Sequence, residues 1–109
     1  MNQVPHPDPQ IYELLQELWQ RHLPSTRERL DLLDNAARRA ADGCLDRTSQ
    51  LEAQSIAHKL SGNLGMFGYK EAGEVAGDIE HTFKAPSPQA VALLGEKMRR
   101  LRELLASHL

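Results

Sequence analysis

The chain has 109 residues, 40% of them apolar, 26% charged and 5% aromatic, and a formal charge of -2. With no long block of one sign, general affinity for nucleic acid is not expected, and the one cysteine, Cys44, excludes an internal disulfide or a multi-cysteine zinc site. The length suits one domain with a modest core, and the wealth of Leu, Ala, Glu, Gln and Arg favours helix over sheet.

Residues 1–8 read as an N-terminal tail without the apolar region of a secretory signal, and residues 9–109 read as one helical domain. A first helix is expected to open at Asp8-Pro9, a capping residue followed by proline at the first helical position. It carries Ile11, Leu14, Leu15, Leu18 and His22 at helical spacing. Pro24-Ser25-Thr26 predicts a second start, with Leu30, Leu33, Ala37, Ala40 and Cys44 on one stripe and a stop at Asp42-Gly43. On that stripe Cys44 is expected to be a small buried filler.

A third helix follows the capping residues between Asp46 and Ser49, with Ala53, Ile56, Ala57, Leu60, Leu64 and Phe67 facing the core. A fourth spans Tyr69 to Phe83 with Ala72, Val75, Ala76, Ile79 and Phe83 on one face. A fifth starts after Ser87-Pro88 and repeats Val91, Leu94, Met98, Leu101 and Leu105, the spacing of near-parallel helix packing. The expected fold is all-α: an up-down-up-down four-helix bundle with an additional N-terminal helix. No run reaches the roughly 20 apolar residues that span a bilayer. Membrane insertion is not expected, and a cytoplasmic monomer is.

Within the third helix, rotation by 100° per residue places His58 roughly 150° from the middle of the apolar stripe. The imidazole therefore faces solvent. Gln54 and Ser55 lie one turn before it, Ser61 and Gly62 one turn after, and Gly65 beyond. Glycine costs a helix interior about 1 kcal/mol relative to alanine, so a glycine on the solvent side calls for a reason. A face cleared of side chains lets another protein's backbone approach the ring. The competing account, close helix packing or a frayed helix end near Gly68, suits Gly65 and Gly68, and also Gly73 and Gly77 at four-residue spacing in the fourth helix. It fits Gly62 poorly.

The stretch AHKLSGNLGMFG, residues 57–68, resembles the signature of histidine-containing phosphotransfer (HPt) domains: A-H-x-[LI]-K-G, four variable positions, then Phe-Gly. Ala57, His58, Leu60, Gly62, Phe67 and Gly68 match it, and AGEVAGDIE, with Ala72, Ala76 and Glu80, is similar to the family's next helix. The resemblance covers about residues 10–108. It implies a phosphorelay intermediate that accepts and donates a phosphoryl group on His58, in exchange with receiver-domain aspartates of a response regulator or hybrid sensor kinase.

Such a phosphocarrier has no kinase activity of its own and no intrinsic cofactor, with Mg²⁺ expected on the partner receiver. The partner-facing and phosphoryl-facing residues are then Lys59, Ser61, Gly62, Gln54 and Gly65. One departure stands out: the signature has lysine three residues after the histidine, and here that residue is Ser61, with Lys59 beside His58 instead. Lys59 is a candidate to take over the charge role by bending its stem back, and Ser61 to donate a hydrogen bond to a phosphoryl oxygen.

A neutral imidazole attacks phosphorus without a separate base, and the transfer rests on in-line positioning and charge neutralisation. The competing reading is a helical docking adaptor, a degenerate member of the family that transfers nothing. A third is a nucleic-acid-binding bundle that uses Lys97, Arg99, Arg100 and Arg102, although cations near a helix C-terminus more often answer its dipole. His6, in the proline-rich tail, and His108, at the frayed end, are expected to be inert, and His22 and His81 to be structural or solvent-facing. No metal site is expected, for the chain has neither H-E-x-x-H nor a paired E-x-x-H. It also lacks a glycine-rich phosphate loop.

Overall fold

The computed structural model describes residues 9–109. The tail expected over residues 1–8, with His6 and the capping role of Asp8, lies outside the described residues. The helices are α1 (Pro9–Ala41), α2 (Arg47–Met66), α3 (Lys70–Lys84), α4 (Pro88–Ala92) and α5 (Leu94–Leu105), with no strand among the described residues. The all-α expectation holds, and no helix is long and apolar enough to cross a membrane among the described residues.

The additional N-terminal helix is not separate. It is the first half of α1, which runs unbroken through Pro24. Proline in a helix interior removes one backbone donor and typically costs about 3 kcal/mol. Here both Pro24 and Gln20, whose carbonyl loses its partner, are exposed, so water can solvate that carbonyl. Ser25 Oγ donates to His22 O at 3.1 Å on the same stretch. On the other side the buried stripe Trp19, Leu23, Thr26, Leu30, Leu33 and Ala37 passes the proline without a change of phase. Tertiary burial on both sides of Pro24 outweighs the local penalty.

Two expectations about core residues are corrected. Ile11 and Leu14 are 55% and 54% exposed, because the first turns of α1 project past the helices that would cover them. Cys44 is exposed. It follows Gly43, whose φ of 72° ends α1, so the helical phase that placed it on the stripe no longer applies.

The four long helices alternate in direction. Trp19 packs edge-on against Phe67 and donates from Nε1 to His108 O at 2.9 Å, tying the start of α1 to the ends of α2 and α5. His22 stacks edge-on against Phe67, and the His108 ring lies 4.4 Å from that of Tyr69. Both histidines are structural, and His108 is docked rather than frayed. The core between the helices is Leu30, Leu33, Leu60, Leu64, Ile79, Phe83, Leu94, Leu101 and Leu105, each almost fully buried.

Asp46 caps α2 by accepting from Ser49 N at 2.7 Å, and that bond holds its carboxyl below the usual carboxylate range. Gly68, at φ 88°, closes α2. Tyr69 N donates to Leu64 O and Gly68 N to Gly65 O, the paired bonds of a left-handed C-terminal stop. That turn folds α3 directly back along α2.

Candidate functional site

His58 lies midway along α2 with its side chain 74% exposed, so the solvent-facing placement expected from helical rotation is what the structure shows. Its ring is not free to turn. Nδ1 lies 3.0 Å from Oε2 of Glu80 on α3, and that carboxylate is only 25% exposed. A carboxylate only accepts, so Nδ1 carries the proton and donates it. In the neutral ring the opposite nitrogen, Nε2, then holds the lone pair.

The residues around the ring divide into two groups. Gly62 and Gly65 are both exposed, and a Cβ built on either meets nothing within 4 Å. These two leave the surface beyond His58 open. Lys59 is exposed with no ion-pair partner among the described residues. Gln54 is half-buried and joins Leu51, Ser55, His58 and Glu80 around a shallow hollow of about 390 Å³. Leu51, 46% exposed, gives the hollow an apolar edge.

Ser61 belongs to the second group. Its hydroxyl does not face the open side of His58 but donates to Gly73 O on α3 at 2.8 Å. Its one proton is committed there, so the expected hydrogen bond to a phosphoryl oxygen is replaced by a bond between helices. The close-packing account of Gly73 is right: a Cβ there would lie 3.2 Å from Ser61 O and 3.4 Å from Gly65 N. At Gly77 a Cβ would come within 3.5 Å of Ser61 Oγ.

Glu80 is the residue that helical rotation alone does not find as a site member. A signal for it exists in the chain. His58 and Glu80 are equally distant in sequence from Tyr69 at the α2–α3 turn, so an antiparallel pair of helices sets them opposite each other. Two of the four cations in the basic cluster near the C-terminus are paired within the bundle. Arg102 binds Asp31 at 2.9 Å and also Asp34, and Arg100 binds Glu71 at 2.5 Å. No group of three or more His, Cys, Asp or Glu side chains that could hold a metal occurs among the described residues.

Comparison with known proteins relates the chain to one family and to a curated relative. The model of the Hpt domain family matches residues 13–107. Protein RcaC of Microchaete diplosiphon is 32% identical over 72 residues, which cover 66% of this chain and 11% of RcaC. The chain thus spans a small part of the length of that curated relative. No solved structure gives a significant match.

Proposed function

Because the chain belongs to the Hpt domain family, a family of phosphocarriers and not kinases, we propose that His58 is its phosphoacceptor. In this reading a receiver domain of a response regulator or hybrid sensor kinase docks over α2 in the cytoplasm. It presents a phosphoaspartate and the Mg²⁺ that neutralises it. The Nε2 lone pair of His58 attacks phosphorus in line, the N–P bond forms, and the P–O bond to the aspartate breaks with its electron pair leaving on the carboxylate. The ring keeps its Nδ1 proton and becomes cationic, so no base need remove one.

Glu80 supports both halves of this exchange. It holds the tautomer whose lone pair points outward, and its negative charge stabilises the cationic ring that transfer creates. Return of the phosphoryl group to a second receiver reverses the same steps. Gly62 and Gly65 leave room for the partner's loops, Gln54 and Leu51 border the contact, and Lys59 is the nearest cation in sequence for the phosphoryl oxygens.

The observation that carries the proposal is the pairing of an exposed imidazole with an interhelical carboxylate beside two open glycines. The test is label transfer from a phosphorylated receiver. Wild-type protein takes label that is lost in acid and kept in alkali, as for a phosphoramidate. His58→Gln takes none and stays folded, since an exposed side chain adds little to stability. Full labelling of His58→Gln refutes the assignment. Ser61 in place of the usual lysine favours the second reading, a docking adaptor, for which wild-type protein binds receivers and takes no label.

A further inference from the structure

The contact between α2 and α3 near the site consists of two matched stripes. On α2 they are Gly65, Ser61 and His58; on α3 they are Gly73, Gly77 and Glu80. Each set is spaced by four and then three residues, so the helices face each other along one seam in antiparallel order. The α3 stripe begins with two glycines, which offer no side chains to interlock. A smooth helix surface resists sliding poorly, because register between packed helices is set by ridges entering grooves. A slip of one residue moves a helix about 1.5 Å along its axis, enough to break a hydrogen bond of 3.0 Å between His58 and Glu80.

We infer that Ser61 is a positioning residue. Its hydroxyl bond to Gly73 O fixes the register of α3 against α2, and that register places the Glu80 carboxylate on Nδ1 of His58. Serine is suited to the task because its oxygen sits one bond beyond Cβ, with little freedom to follow a sliding partner. Gln50 makes a further polar tie of this seam, Nε2 to Phe83 O at 2.8 Å. Its longer side chain can extend or recoil while keeping the bond. The short tie sits on the glycine stripe, one turn from His58, where the missing side chains leave register undefined.

The same position holds lysine in the signature that this chain resembles. Here the residue three places after the histidine contributes order to the seam in place of charge at the surface. The inference rests on the functional reading only for its consequence in catalysis. Its structural half stands or falls separately.

The experiment compares wild type, Ser61→Ala and Ser61→Thr by ¹⁵N NMR of the His58 ring nitrogens and by single-turnover transfer from a phosphorylated receiver. Wild type is expected to show one neutral tautomer with the proton on Nδ1. Ser61→Ala should stay folded and show a mixture of tautomers, with transfer slowed about tenfold at saturating receiver and receiver affinity unchanged. Ser61→Thr keeps the hydroxyl and should restore both readings. A single Nδ1–H tautomer persisting in Ser61→Ala overturns the inference, whatever the transfer rates are. Tautomers that respond as expected in a protein that takes no label uphold the role of Ser61 and strike the functional reading alone.

Discussion

Two seams of the bundle, α2 against α3 and α1 against α5, are built in opposite ways. Between α2 and α3 the backbones approach so closely that a Cβ on Gly73 would press on the Ser61 carbonyl, and polar ties run along the contact at Ser61, His58 and Gln50. Between α1 and α5 the helices leave an open groove of about 710 Å³ lined by residues such as Ala37, Ala41, Gly95 and Met98. Arg102 bridges that groove to Asp31 and Asp34. Partly exposed charge pairs of this kind contribute up to about 1 kcal/mol each and weaken with salt. The histidine that chemistry needs sits on the close seam, on the opposite face of the bundle from the groove. Positioning an imidazole to within a hydrogen bond requires a rigid neighbour, and close backbone contact with short side chains supplies it.

Substituting glycines on the two seams separates these roles. The largest effect is expected at Gly73. Gly73→Val pushes a branched side chain against the α2 backbone and should cost about 2 kcal/mol, the usual scale of overpacking. It should also part Glu80 from His58. Chemical denaturation and the His58 ring-nitrogen signals check both; a variant as stable as wild type would show that the seam is looser than described.

Gly62 is the next case, on the outer surface of the same helix. A side chain there leans back toward the N-terminus of α2 and over the imidazole. Gly62→Gln should abolish transfer by blocking the receiver. It should nevertheless gain several tenths of a kcal/mol, since glutamine is the better helix former. Melting temperature and transfer rate should move in opposite directions. The smallest effect belongs to Gly95 on the open seam, where a Cβ meets nothing within 4 Å. Gly95→Ala should stabilise by about 0.5–1 kcal/mol through helix propensity and leave transfer unchanged. A loss of transfer there would mean that the groove communicates with the site.

Much of the bundle was legible along the chain because each helix states its own period and ends. The α2 stripe, the Asp46 cap, the stop at Gly68 and the Ser87-Pro88 start all follow from local rules, and so does the exposure of His58. Pro24 misled because a proline reads as a break. The deciding information was the stripe from Trp19 to Leu33, which keeps phase across the proline and places the ring on the solvent side. The roles of Ser61 and Glu80 were harder to reach. Both depend on how α2 registers against α3, and a periodicity read within one helix carries no distance to the next. Once the Gly68 turn folds α3 back along α2, the Ser61 hydroxyl can meet the Gly73 carbonyl and the Glu80 carboxylate the ring.

The central claim is that this seam holds His58 with Nδ1 protonated toward Glu80 and Nε2 open to phosphorus. The most direct measurement is the site of phosphorylation at atomic level, from ¹⁵N and ³¹P NMR of the protein labelled by a phosphorylated receiver. The account predicts a single phosphohistidine at His58 with phosphorus bonded to Nε2 and a proton retained on Nδ1. Phosphorus on Nδ1 of His58, or on any other residue, would contradict it.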